Sequence, residues 1–421
     1  MPALPDWLAA LFTRRMLICV ATGFSSGLPL YLLLNLIPAW LFSEGISLRD
    51  IGAMTLIQLP YTWKFLWSPL LDRYSPPGFG RRRGWMLLTQ FGLLASICGF
   101  GLLSPRLDLS SIILLALTLT LLSATQDIAI DAFRREILPD AELGLGNSVH
   151  VNAYRIAGLI PGSLSLILAD HLPWQQVFLI TSLFMLPGVL MSLLVQEPPI
   201  GTGQPKTLRA AVAEPFQEFI QRAGLREALL ILAFIFLYKL GDSLCTALAT
   251  PFYLSMGYSK TDIGLVAKHA GLWPAVIGGL IGGLWMVRLG INRALWLFGV
   301  VQLLSIFGFA WLAQQGHQVA IGPSQRIALA GVIGFEALGV GLGTAAFVAY
   351  IARTTHPRYT ATQLALFTSL AALPRSFINA GAGWLVEQLG WTPFFLLCAL
   401  LALPGMLLLP RIAPWRAQAS T

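Results

Sequence analysis

SEGISLRDIG (43–52) and SMGYSKTDIG (255–264) are the stretches on which the fold turns: aligned at an offset of 212 residues, they are identical at six of ten positions. Each places a serine three residues before an aspartate, Ser47 with Asp50 and Ser259 with Asp262. At that spacing a side chain can cap the first turn of a helix, with Asp in place of the more usual Glu. Each stretch also follows one long apolar run and precedes another, so each marks the start of the second helix of a unit that occurs twice. The chain reads as two copies of one helical bundle.

Working outward, apolar windows long enough to cross a bilayer, about 20 residues, fall six times on each side of a polar stretch at 196–226. Composition agrees. Charged residues are 11% of the chain and hydrophobic ones 56%, with a mean hydropathy of +0.72, whereas a soluble domain carries roughly 25% charge. The expected architecture is an all-α polytopic membrane protein of twelve transmembrane helices. It divides into an N-terminal six-helix bundle (1–195), a cytoplasmic linker (196–226) and a C-terminal six-helix bundle (227–421).

The basic residues orient it. With the N-terminus inside, 18 lie in cytoplasmic segments and only Arg49, Arg106, Lys260 and Arg326 outside. The positive-inside rule then puts both termini in the cytoplasm. The net charge of +8 is accounted for by that bias, and a nucleic-acid partner is excluded. Cys19, Cys98, Cys245 and Cys398 sit singly in apolar runs without metal-ligand spacing, so they read as small core residues, and no metal or cofactor is expected.

Ionisable groups inside the spans are the functional candidates, because a charge in hydrocarbon is costly and faces other helices or a water-filled path. In SATQDIAIDAFRREILP (123–139), Asp127 and Asp131 lie four residues apart and share one helix face. Asp131, near the cytoplasmic edge, can pair locally with Arg135. Asp127 lies deeper and is the first choice for proton coupling, with Asp242 and Glu336 next. Lys64, Arg155, Lys239, Lys268 and Arg375 are the intramembrane cations and the candidates for binding a solute. Gln126, Tyr61, Tyr154 and Trp273 are candidate contacts to the rest of a solute. Lys239 and Asp242 can equally form a local i,i+3 pair, while Lys64 and Arg155 have no acid at helical spacing. Trp40 and Trp384 read as anchors at the membrane interface.

Two parallel six-helix repeats resemble the major facilitator superfamily. DRYSPPGFGRRR (72–83) resembles its signature loop, here with a longer, proline-bearing spacer. Asp72, Arg73 and Arg81, together with Asp131, are expected to form a cytoplasmic gate. A narrower resemblance, to the AmpG muropeptide permeases, rests on GFSSGLPL (23–30), FLWSPLLDRYSPPGFGRRRGW (65–85) and SATQDIAIDA (123–132). YKLGD (238–242), GLVAKHAGL (264–272), GLGTAAFVA (341–349) and TATQLALF (360–367) extend it to nearly the whole chain. The resemblance implies a monomeric inner-membrane importer of GlcNAc-anhydroMurNAc peptides driven by protons, serving peptidoglycan recycling and β-lactam resistance. The competing classes are a carrier of another anionic or amphipathic solute, such as acetyl-CoA, and a membrane-embedded transferase. No HExxH, GxSxG or P-loop spacing supports the transferase.

Overall fold

The computed structural model describes residues 10–46, 54–197, 208–258, 262–263, 266, 268–317, 321–373 and 381–415. Among them every regular element is helical. Taken together at their breaks, the helices make twelve segments and a linker helix.

The first six are as follows. α1 runs Arg14–Tyr31, then a π-helical turn Leu32–Leu36 and Ile37–Ser43; α2 is broken into Met54–Gln58, Leu59–Trp63, Lys64–Leu66 and Ser68–Arg73. α3 is Arg81–Phe100 and α4 is Leu109–Ile137. α5 is Leu143–Ala157, a π-helical turn Ile160–Leu164 and Ser165–Ala169, and α6 is Trp174–Leu183 with Leu186–Leu194. The linker helix is Leu208–Ala223.

The second set starts with α7, which comprises Leu225–Leu237, Leu240–Thr246 and Ala249–Ser255. α8 and α9 form the continuous stretch Lys268–Gln314, bent where Gly290 takes φ +74°, a backbone conformation that suits glycine. α10 is Pro323–Thr354, α11 is Thr360–Leu373 with Ala382–Leu389, and α12 is Trp391–Ile412. Among the described residues, eight helical stretches are long and apolar enough to cross a membrane by length and composition. Of the rest, α2 and α11 are cut by helix breaks or by residues outside the description, and α3, though unbroken, begins with three arginines.

The described chain separates into two compact units. One comprises 1–139, 149–217 and 355–369; the other comprises 140–148, 218–354 and 370–421. Thus the opening of α11 packs with the N-terminal helices, and the opening of α5 packs with the C-terminal ones.

In the first unit the core is aromatic. The Trp40 ring lies 4.9 Å from Phe178 and 6.2 Å from Phe100, and all three are fully buried. Trp40 is therefore a core residue and not an interface anchor, since burying its ring among Phe side chains gains more contact area than a headgroup position would. Trp384 is exposed. α1 and α5 approach closely because glycines remove the side chains between them: a Cβ on Gly23 would meet the His150 carbonyl oxygen at 2.2 Å, and one on Gly27 that of Tyr154 at 2.3 Å.

In the second unit Phe252, Phe309 and Phe395 form the core with Trp391; Phe252 and Phe395 are 4.8 Å apart. Ser47, Asp50 and Ser259 of the repeated stretches lie outside the described residues, while Asp262 accepts a hydrogen bond from Arg326 at 2.6 Å.

Candidate functional site

The acids of α4 occupy a polar seam inside the first unit. Ser26 of α1 donates to Asp127 Oδ1 at 2.6 Å. One residue away on both helices, Gln126 Nε2 donates to Ser25 Oγ at 3.0 Å. The pair SS on α1 thus meets the pair QD on α4, which is possible because both sequences are helical and in register. Gln126 is fully buried in this contact, so the structure gives it a place between helices.

Lys64 comes in from the broken segment of α2. Its Nζ is 3.8 Å from Asp131 Oδ2, and Arg134 Nη2 holds Asp131 Oδ1 at 2.7 Å. The local partner of Asp131 is therefore Arg134, at i+3, where Arg135 at i+4 was equally within helical reach. Lys64 has an acidic neighbour after all, supplied by another helix. Tyr61, one turn before Lys64, donates to Ser123 Oγ at 2.8 Å. Lys64, Asp127, Asp131 and Arg134 together give a seam of alternating charge with hydroxyl partners.

A second cluster lies at the ends of α2, α3 and α4. Arg82 is fully buried and donates to Asp72 at 2.8 Å, to Glu136 at 2.7 Å and to Thr360 Oγ1 at 2.7 Å. Asp72 Oδ2 in turn accepts from the backbone N–H of Thr362 at 2.9 Å and its hydroxyl at 2.8 Å. Thr362 is in the first turn of α11, whose N–H groups have no intrahelical acceptor, so the carboxylate both caps that helix and faces its positive end. Thr360 also donates to Glu136 at 2.5 Å.

The expected gate partners need correction. Asp72 pairs with Arg82; Arg81 pairs with Glu136 at 3.0 Å; Arg73 lies over the Tyr74 ring at 5.4 Å. The reason is where α3 begins. Gly80, at φ +84°, turns the chain into the helix, and the three following arginines then leave it about 100° apart. Only the middle one faces Asp72. Glu197 fixes this start by accepting from the N–H groups of Arg82 and Arg83 at 2.8 and 3.0 Å. A Cβ on Gly80 would collide with that carboxylate at 2.8 Å. Arg82, Glu136, Glu197, Thr360 and Thr362 were absent from the sequence-based set. Glu136 was masked by its basic neighbours, and Glu197 acts from 115 residues away.

The remaining candidates are spread out. Tyr154 packs on Tyr31 with ring centroids 5.6 Å apart. In the second unit Lys239 and Asp242 form their local pair at 3.3 Å, Glu336 is buried, and Trp273 is half exposed. Arg375 and the side chain of Lys268 lie outside the described residues, and Arg155 lies in the last turn of the first segment of α5.

The sequence profile of the Major Facilitator Superfamily matches residues 19–378. An uncharacterized protein of Haemophilus influenzae is 52% identical over 412 residues, covering 97% of this chain and 96% of that protein. The anhydromuropeptide permease of Escherichia coli K12 is 40% identical over 397 residues, covering 94% of this chain and 79% of the permease. Among solved structures, the human organic anion transporter MFSD10 (TETRAN) superposes with a TM-score of 0.70 at 17% identity, covering 94% of this chain and 99% of that one. At that identity the likeness speaks to the fold.

Proposed function

Because the chain belongs to the AmpG-type permeases of the major facilitator superfamily, we propose that it imports anhydromuropeptides into the cytoplasm. As a multi-pass permease, it is a carrier of a small molecule and not an enzyme. The cargo in this reading is GlcNAc-anhydroMurNAc peptides, crossing the inner membrane by alternating access with protons as the coupled ion. The importer works as a monomer with both termini in the cytoplasm, and it feeds peptidoglycan recycling and through it β-lactam resistance. The observation that carries the proposal is the near full-length likeness to the Escherichia coli permease.

The two clusters divide the work. The cluster of Asp72, Arg82 and Glu136 is the latch. While it grips Thr360 and Thr362, the opening of α11 stays seated on the first unit and the cytoplasmic side stays shut. With Arg81, which pairs with Glu136, its two acids and two bases balance, so it holds as a closed set and weakens as a set when one member leaves. The seam around Asp127 is the coupling site. Ser26 donates to the Asp127 carboxylate, and Lys64 pairs with Asp131 on the same helix face. When a substrate carboxylate draws Lys64 away, Asp127 loses a neighbouring cation and takes up a proton. Substrate and proton are then bound together, and releasing either into the cytoplasm favours release of the other.

The test is uptake of labelled anhydromuropeptide by cells lacking their own permease and expressing this chain. Accumulation that collapses with a protonophore is the expected result. Absence of uptake from well-expressed protein refutes the proposal.

A further inference from the structure

The two sides of α5 have different surroundings. One side is pressed on α1, through the backbone of His150 and Tyr154 against Gly23 and Gly27, and it continues through buried Ala157 and Pro161. With 3.6 residues per turn, Asn152, Arg155, Ile156 and Leu159 fall on the side turned away from α1. Ile156 and Leu159 are 40% and 38% exposed, so the described residues leave that side uncovered over part of its length. Asn152 is only 3% exposed, yet neither its Oδ1 nor its Nδ2 has a hydrogen-bond partner among the described residues.

A carboxamide offers two donors and an acceptor. Buried side-chain polar atoms are nearly always satisfied, and one that is not calls for an explanation. Here the helix could have carried Leu or Ala at no polar cost, so the amide calls for a partner that the described residues do not provide. A carboxamide is self-complementary with a peptide group, giving its N–H to the carbonyl and accepting the amide N–H. Arg155 lies three residues on, about 4.5 Å along the helix axis. The advance per residue of an extended peptide is about 3.5 Å, so the two side chains are spaced to meet a terminal carboxylate and the amide before it.

Resting on the transport reading above, we infer that Asn152 is a specificity-determining residue. It exchanges hydrogen bonds with an amide of the transported peptide while Arg155 takes the neighbouring carboxylate. A resident water could satisfy the same atoms, and the two cases differ in what happens when the amide is removed.

The experiment compares the parent chain with Asn152→Leu, which keeps the volume and removes both polar atoms. Uptake is measured for a peptide-bearing anhydromuropeptide and for the peptide-free disaccharide, with the amount of protein in the membrane and its unfolding midpoint in detergent. The expected result is at least a ten-fold rise in KM for the peptide-bearing substrate, little change for the disaccharide, and an unchanged or higher midpoint. Unchanged KM for both substrates overturns the inference alone, and equal loss for both overturns the assignment to the peptide. If the parent takes up neither substrate, the transport reading falls and this inference falls with it. Should Asn152→Leu fail to accumulate, Asn152→Ala takes its place with the same outcomes.

Discussion

Replacing Asp72 by Asn is the sharpest test of the latch. The carboxylate accepts three hydrogen bonds, from Arg82 at 2.8 Å and from the N–H and hydroxyl of Thr362 at 2.9 and 2.8 Å. As a neutral amide the side chain still fits, but it keeps a single acceptor oxygen: its NH2 end cannot accept from Arg82 or from the Thr362 N–H, and whatever bonds to Thr362 remain lose the charge of the acceptor, roughly half their strength. Stripping a buried ion of its only partner costs about 3–5 kcal/mol. Arg82 keeps Glu136, so a loss of about 2 kcal/mol is the reasonable figure, a shift of roughly 30-fold toward the released state. Leu71 reports on that state, being buried in one cluster with Ala361 and Ala365 of α11. In a background with the four native cysteines replaced by serine, Leu71→Cys is labelled by an impermeant thiol reagent in inverted vesicles. Asp72→Asn is expected to raise the labelling rate about 30-fold and to slow uptake while leaving substrate binding in place. Equal labelling and equal uptake in both backgrounds would refute the latch.

Three further outcomes are expected. Asp127→Asn should abolish accumulation against a gradient while downhill exchange of labelled substrate persists; continued accumulation that a protonophore dissipates would move coupling to Asp242 or Glu336. Glu197→Ala removes the acceptor from two first-turn N–H groups of α3 and should cost about 1 kcal/mol, seen as a lower unfolding midpoint in detergent, whereas an unchanged midpoint would contradict the capping role. Gly27→Ala forces a methyl group against the Tyr154 carbonyl and should destabilise by about 1–3 kcal/mol through α1–α5 separation; a parent-like midpoint and yield would show that the contact gives way without cost.

The helices were legible because membrane spans are written in composition, and the doubling because SEGISLRDIG and SMGYSKTDIG survive as near copies. Asp127 could be singled out as an acid in an apolar run, but its partner Ser26 lies 101 residues earlier, and no local spacing connects the two. The latch was half readable. Asp72 and a run of three arginines are visible as a motif, but which arginine turns inward depends on the residue at which α3 begins, and that is set by Gly80 and the distant Glu197. Lys64 looked unpaired for the same reason: its acid comes from another helix. Trp40 misled because an aromatic near a helix end has two good positions, and the presence of Phe100 and Phe178 beside it can be seen only in three dimensions. Asn152 carried no signal at all, since a single asparagine in an apolar helix is distinguished only by the partners it lacks.

The grip of the first unit on residues 355–369 also has a consequence for biogenesis. The chain is made from its N-terminus, so Asp72, Arg82 and Glu136 enter the membrane long before Thr360 and Thr362 exist. The ribosome must add residues 137 to 362 first, and at about 5–20 residues per second that delay is on the order of tens of seconds. Throughout it the nascent half-protein holds a charged socket whose plug has not been synthesised. A protease or chaperone that surveys nascent membrane proteins would meet in that socket a marker of unfinished chains, erased when the eleventh helix arrives.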